Sequence, residues 1–423
     1  MSAVAKIKRK LYFVGARYFR YFANISLKRW KPRVFAITGS AGKTTMLHLL
    51  EFELGEKAHY SHDANSAFGV AFDILGMKGI KGSRLKWFYL FFATPIRALF
   101  FTHKEKYYIV EIDGERPHET EFLARWLRPE VTFWISMGLS HAAKFETAVK
   151  SGEFDSLSEA ITHEFAELPK YTSKRVYIDA DSEEMEAGVK DAEAKIFRVN
   201  KDDLVAYRVT PKSSDFLIDG IKMHFAAPEP PDLALQLIML KDFCEYLKRE
   251  FRADFSEINL PPGRSGSFEG KNGLTLIDST YNAHIISVES IFGMVKKMRL
   301  ENLWLVMGDI IDQGSIEHHE HEKLAEMIRE LDPKQVILVG PRTKKYTAPK
   351  LAEYGIPTVV TTEPERALEY IEENAKNEET ILFKGSQYLE WVVEKLLKNP
   401  EDEKKLCRRD KAAKKRRQKR GLV

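Results

Sequence analysis

Cysteine is nearly absent from this chain. Cys244 and Cys407 are its only two in 423 residues, and they lie far apart with no partner motif, which excludes a disulfide framework and a thiolate metal site and suits a reducing cytoplasm. Long apolar runs are also missing. The most apolar stretch, LKWFYLFFATPIRALFF at 85–101, is too short for an ordinary membrane span and is broken by Pro95 and Arg97, so it reads as a buried or interfacial helical hairpin. The first thirty residues lack the continuous apolar segment and small-residue cleavage site of a secretory signal. No internal repeat stands out.

Acidic residues are absent from the ends. Residues 1–33 hold ten Lys/Arg and no Asp/Glu, residues 404–420 hold eleven Lys/Arg against Asp410 alone, and the formal charge of +4 therefore hides a body near −16. An acidic globule with two basic ends favours attachment to an anionic surface through those ends. Residues 1–33 form a basic helix in which Leu11, Val14, Tyr18, Tyr21 and Phe22 recur at helical spacing, suited either to a membrane surface or to packing on its own domain. Residues 399–423 read as a disordered basic tail. Nucleic acid is disfavoured as a partner, because the acidic body lacks interleaved aromatic and basic residues.

With 44% hydrophobic and 30% charged residues, the chain is long enough for two or three soluble domains. RVFAITGS is a buried-strand pattern that runs into the helical KTTMLHLLEFEL. YYIVEID, VTFWISM and RVYIDA are further buried strands alternating with helices, which predicts a parallel sheet covered on both faces. VAYRVT and FLIDGIKMHF predict an antiparallel hairpin, and NLPPGRSGSFEG marks a boundary. LTLIDS, LWLVMGD, QVILVG, TVVTT and TILFKGS form a second α/β series. The reading is thus an α/β protein: a basic helix at 1–33, a P-loop-type parallel-sheet domain at 34–259, and a Rossmann-like α/β domain at 260–398.

The stretch AITGSAGKTT at 36–45 has a phosphate loop's placement, strand before and helix after, but Ile37 stands where the usual pattern has its first glycine. Backbone amides of Gly39, Ser40, Ala41 and Gly42 suit a phosphate, Lys43 its charge, and the Thr44 hydroxyl a Mg²⁺ ion, with Thr45 following. This shortened spelling resembles the Mur ligase family. NSAFGV at 65–70, VEIDGERPHE at 110–119, SMGLSH at 136–141, LPPGR, LIDSTYNA, VMGD and FKGS at 383–386 are similar, in order, to stretches of its D-alanyl-D-alanine-adding branch, over residues 34–398.

The resemblance implies an ATP- and Mg²⁺-dependent carboxylate–amine ligase working through an acyl phosphate, with Lys43, Glu111, His141 and Arg264 catalytic. Metal would be held by Thr44, Glu111 and His141, and nucleotide by residues 39–45 with Asp278 and Asn282. Asn65, Tyr281, His321, Lys384 and Ser386 would meet the substrates: a soluble or lipid-linked cell-wall precursor and an amino acid or dipeptide. It further implies a cytoplasmic monomer; peripheral membrane contact is expected from the basic termini, not from the resemblance. Departures from the family pattern are Ser136 for an asparagine, Ser279 for a second aspartate, and SEAITHEF at 158–165 without the lysine that many members carbamylate, where His163 or Glu164 is the expected substitute. Only about thirty-three residues precede the loop strand, so the family's uridine-binding domain is expected to be missing. A non-catalytic scaffold and a ligase of another substrate are the alternatives; a folylpolyglutamate-synthase-like enzyme shares the loop but not DSTYNA.

Overall fold

The structure, a computed structural model, describes residues 3–62, 64–79, 84–376 and 378–422. It divides into two units, Met1–Lys201 with Leu235–Phe251, and Asp202–Ala234 with Arg252–Val423. The first is built on six strands, β1 (Arg33–Thr38), β2 (Ala58–Tyr60), β3 (Tyr107–Glu111), β4 (Val131–Trp134), β5 (Arg175–Asp179) and β6 (Lys195–Val199). All are parallel, in the order β2-β3-β1-β4-β5-β6. The central strands are apolar on both faces, as a sheet covered by helices demands. The two strands not read from the sequence, β2 and β6, are the edges; one has three residues and the other, KIFRV, buries only Val199.

Helices α1 (Ala3–Trp30), α2 (Lys43–Leu54), α3 (Ala67–Ile74), α4 (Arg84–Phe100), α5 (Glu119–Leu127), α6 (Ala142–Lys150) and α7 (Leu157–Lys170) belong to this unit. The N-terminal helix buries Ala16, Phe19 and Ala23 completely in one cluster with α3 and α4, and its Tyr12 hydroxyl bonds the buried Glu119 carboxylate. The expected hairpin at 85–101 is instead one continuous helix, α4, with Pro95 inside it. A proline cannot donate to the carbonyl four residues back. Here that carbonyl belongs to Phe91, and the Tyr18 hydroxyl of α1 donates to it at 2.8 Å, so the helix continues. Among the described residues, no helix is long and apolar enough to cross a membrane.

The second unit has two sheets. One is antiparallel: β7 (Leu204–Thr210), β8 (Ser213–Ile218) and β9 (Ile221–Phe225). Three strands appear where a hairpin was expected because Asp219 and Gly220, at φ of 50° and 75°, turn the chain inside FLIDGIKMHF, the Asp-Gly turn of a tight hairpin. The sequence reading put this segment in the domain ending at 259; the structure groups it with the second unit. The larger sheet contains β10 (Gly266–Glu269), β11 (Thr275–Ser279), β12 (Leu303–Gly308), β13 (Gln335–Val339), β14 (Thr358–Thr361) and β15 (Thr380–Lys384), ordered β10-β11-β15-β12-β13-β14. Only β10 is antiparallel to its neighbour. Its layers match the predicted Rossmann-like series.

The expected disordered tail is folded. A helix spans Lys411–Lys419, capped by Asp410, whose carboxylate accepts the Ala412 and Ala413 amides at 2.8 and 3.1 Å. Leu406 and Leu422 are buried in the core beside it. Glu394 receives both Arg409 and Arg417, the latter at 2.5 Å, so an acid outside the tail anchors two of its cations.

Glu229 joins the small sheet to β10's approach. It is buried, accepts the Ser265 hydroxyl at 3.1 Å, and its own amide donates to Ser214 Oγ at 3.2 Å. Burial pushes its carboxyl up to about 8 against the opposing effects of the Ser265 bond and the Arg264 charge. Between the ordinary carboxyl value and about 8, the folded state holds a proton that the unfolded state has released, so this group's contribution to stability falls as pH rises through that window. Glu229→Gln should remove that slope. Urea midpoints of the variant minus wild type should rise from pH 5 to pH 9; a pH-independent difference would contradict the assignment.

Candidate functional site

The loop explains its own missing glycine. Ile37 is still in β1, fully buried, and paired with Glu111 of β3 and Phe133 of β4. The turn begins two residues later, at Gly39, whose φ is 133°. A Cβ there would lie 2.8 Å from the Ser136 carbonyl oxygen. Gly42 is left-handed at φ 80°, and a Cβ on it would meet Gln236 Nε2 at 2.7 Å. Both positions thus demand glycine, while position 37 demands a strand residue.

Ser136, the departure from the family's asparagine, staples the loop. Its hydroxyl accepts the Ala41 amide at 2.7 Å and donates to the Ala41 carbonyl at 2.8 Å, and its carbonyl accepts the Ser40 amide at 3.2 Å. The Ser40 hydroxyl donates to the Gly138 carbonyl at 2.8 Å. Lys43 opens α2 and is buried. Its ammonium donates to the Gly39 carbonyl at 2.5 Å and pairs with Asp113 at 2.7 Å. Thr44, followed by Thr45 in the same first turn, donates to Glu111 Oε2 at 3.0 Å. Glu111 stands at the end of β3 with its amide donating to Ser61 Oγ.

Beyond β3 the chain brings Asp113 and Glu115 to His141, with ligand atoms of all three within 4.8 Å of one another. Asn65 donates to Asp113 at 3.4 Å, and its carbonyl accepts the Asp113 amide at 3.2 Å. Burial raises the Asp113 carboxyl, but the charge and hydrogen bond of Lys43 outweigh it and hold the group well below the usual carboxylate range. Burial lowers His141 more than the nearby carboxylates raise it, which leaves a neutral imidazole, the form that ligates metal. The Thr44–Glu111 pair and the Asp113–Glu115–His141 cluster each offer oxygen donors that fit a hard divalent cation such as Mg²⁺.

Asp113 and Glu115 escaped the sequence reading, although Glu111, Asp113 and Glu115 alternate where β3 ends, a spacing that keeps one side in an extended segment. The proposed lysine substitutes do other work. Glu164 is buried and accepts the His118 and Thr120 amides, each at 2.6 Å, with its carboxyl pushed up to about 8 by burial. His163 lies half exposed beside Glu167.

In the second unit, Arg264, Asp278, Ser279 and Lys384 come together. Lys384 is buried, donates to Ser279 Oγ at 3.3 Å, and is pushed down to about 7 by burial and by Arg264, against the pull of Asp278. Asp278 is fully buried. Oδ1 accepts from the amide and hydroxyl of Thr280, at 3.0 and 2.6 Å, whereas Oδ2 is buried without a hydrogen-bond partner among the described residues. The tail covers this stretch: Cys407 Sγ lies 3.4 Å from the Thr280 hydroxyl, and Arg408 donates to the carbonyls of Thr280 and Tyr281. The Arg264 guanidinium lies 4.9 Å from the centre of the exposed Tyr281 ring, and Asn282 follows half-buried. Ser386, beyond β15, lies against Gly308 of β12, where a Cβ would come 3.1 Å from its carbonyl oxygen. His321 is separate. It is fully buried, with Nδ1 beside the Thr347 hydroxyl at 2.9 Å and Nε2 donating to the Ile310 carbonyl at 3.3 Å. Both ring nitrogens are engaged inside the core, which corrects its assignment as a substrate contact.

Residues 263–387 match the family described as Mur ligase, glutamate ligase domain. The chain is 22% identical over 402 residues to the UDP-N-acetylmuramoyl-tripeptide--D-alanyl-D-alanine ligase of Bacillus subtilis (strain 168), covering 89% of this chain and 79% of that protein. It is also 22% identical, over 400 residues, to the ligase of the same name from Mycobacterium leprae (strain TN), covering 84% and 71%. Among solved structures it is similar to the MurF ligase from Thermotoga maritima in complex with ADP, with a TM-score of 0.73 and 18% identity over 95% of this chain and 84% of that one. A second is MurF from Acinetobacter baumannii, with a TM-score of 0.68, 18% identity and coverage of 91% and 80%. The chain therefore shares the fold of these MurF ligases, and its residues 263–387 match the Mur ligase, glutamate ligase domain.

Proposed function

We propose that this protein is an ATP-dependent carboxylate–amine ligase that adds an amino acid or a D-alanyl-D-alanine-like dipeptide to a cell-wall precursor. The observation that carries the reading is the meeting, at one end of the parallel sheet, of a glycine-shaped loop, a buried lysine and a carboxylate–imidazole cluster. In the reaction a substrate carboxylate oxygen attacks the γ-phosphorus of ATP, ADP departs, and an acyl phosphate forms. The amine nitrogen then attacks the acyl carbon, phosphate leaves, and the amine gives up a proton.

Phosphoryl transfer asks the protein for positioning and charge neutralisation more than for covalent chemistry. We assign the glycine-shaped loop at residues 39–42 to phosphate, with its Ser40 and Ala41 amides held on Ser136, and Lys43 offsets the phosphate charge. One Mg²⁺ ion held by Thr44 and Glu111, and a second at His141 with Asp113 and Glu115, would spread the charge of the transferring group. Asn65 orients Asp113. In the second unit Arg264, Lys384 and Ser386 are the groups we assign to anionic parts of the substrates, while the ribose contact that the resemblance implies for Asp278 is opposed by its complete burial beside Thr280 and Cys407. The testing experiment supplies purified protein with ATP, Mg²⁺, a UDP-linked muramoyl peptide and D-alanyl-D-alanine, and reads ADP together with the amide product by mass. ADP release without amide would overturn the acceptor or donor; neither product with any carboxylate–amine pair would make the chain a non-catalytic member.

Lys43→Ala should lower ligation by about 100-fold or more, since it removes a charge that acts on the transferred phosphoryl group, and should also lower the thermal midpoint, since Asp113 loses its buried partner, with activity compared at a temperature where circular dichroism shows both proteins folded. Near-normal turnover would remove the loop from the mechanism. Glu111→Ala and His141→Ala should each raise the Mg²⁺ concentration for half-maximal activity by about tenfold or more. Unchanged Mg²⁺ dependence, with a normal fold, would take these residues out of the metal site.

A further inference from the structure

Helix α4 is apolar nearly all round, yet only one side of it is covered. Leu90, Thr94 and Ala98, spaced four apart, are buried against α1 and α3. On other sides, Phe88 is 68% exposed, Phe92 75%, Ile96 60% and Phe100 85%, with Tyr89 and Leu99 exposed beside them. Phe88, Phe92, Ile96 and Phe100 recur every four residues, so they form a stripe along the helix. Leu11, Val14 and Tyr21 of α1 are exposed as well. They share a helical stripe with Tyr18, whose ring packs on Phe91 and whose hydroxyl holds the Phe91 carbonyl. A contiguous apolar face of this kind on a folded protein marks an interaction surface.

Charge identifies the occupant. In sequence, residues 1–33 and 74–104, which include the two helices, contain sixteen Lys/Arg and no Asp/Glu, in a chain whose total formal charge is only +4. Arg17, Lys28 and Arg29 on α1 are exposed, and Arg97 of α4 folds back onto the carbonyls of Leu75 and Gly76. Neither helix qualifies as a span, so a face of Trp, Tyr, Phe and Leu rimmed by cations lies along an interface and does not cross it. Exposed aromatics seat in the headgroup region, and Lys/Arg close to anionic lipids add electrostatic attraction. We propose that the α1–α4 face docks this protein on the surface of an anionic lipid bilayer. The inference stands whether or not the chain is a ligase.

The test is flotation of the full chain with vesicles of phosphatidylcholine alone and of equal parts phosphatidylcholine and phosphatidylglycerol, at low and high salt. Binding should require phosphatidylglycerol, weaken with salt, and shift Trp fluorescence to the blue. The double variant Phe92→Glu/Ile96→Glu keeps Leu90, Thr94 and Ala98 in the core and should lower the bound fraction by about tenfold or more, with an unchanged circular dichroism spectrum. If that variant does not fold, Arg17→Glu/Lys28→Glu serves instead and should weaken binding to the anionic vesicles alone. Failure of the wild type to float with either vesicle would overturn the proposal. So would binding that both variants leave intact, or a wild-type dimer in sedimentation that Phe92→Glu/Ile96→Glu dissociates, which would make a second copy the occupant.

Discussion

A cation buried at the start of a helix is the arrangement on which the first unit's site depends. Lys43 is the first residue of α2, where the helix dipole already places partial positive charge, and its side chain has little water to screen it. Both effects oppose an ammonium at that spot. Asp113 offsets them at 2.7 Å, and the pair holds only because each partner is itself held: Lys43 by the Gly39 carbonyl, Asp113 by Asn65. A phosphate arriving at this helix end would bring the anion that the helix and the lysine both favour. Removing one member of such a buried pair leaves the other exposed to the full cost of its burial.

The sheet supplies the geometry for that pair. Because β1 and β3 run parallel with Ile37 beside Glu111, the loop after β1 and the acidic run after β3 leave the sheet at the same end, where ligand sites of open parallel sheets lie. The strand β4 on the other side of β1 contributes Ser136 just beyond its end. Three neighbouring strands thus deliver the phosphate loop, the carboxylates and the loop's staple. A serine can replace the family's asparagine here because a single hydroxyl both accepts from and donates to the Ala41 backbone.

The interior strands were legible because a strand buried on both faces must be continuously apolar, and RVFAIT, YYIVE and VTFW are. Edge strands β2 and β6 carry no such constraint and did not show. The continuity of α4 through Pro95 was illegible for a different reason: the hydroxyl that rescues the Phe91 carbonyl sits on Tyr18, more than seventy residues away in sequence. His321 misled in the opposite sense. Its place in a motif series suggested a substrate contact, whereas its two nitrogens are satisfied by Thr347 and Ile310 within the core. Asp113 and Glu115 were written in the sequence but read only as the surroundings of Glu111, since their approach to His141 depends on the loop after β4.

The two basic ends make the same point through charge. In composition they look alike, yet the tail's cations meet acids from the neighbouring helix, Arg409 and Arg417 on Glu394 and Arg408 on Glu390, and so it folds onto its own unit. Residues 1–33 and 74–104 have no acid of their own, and several of their guanidinium groups rest on carbonyls and rings instead: Arg29 on the Phe101 carbonyl at 2.7 Å, Arg20 over the Phe122 ring at 4.4 Å. Carbonyls and aromatic faces position a cation without cancelling its charge. A basic segment folded against carboxylates is spent on its own structure; one folded against neutral acceptors keeps its field and can direct it outward to an anionic partner.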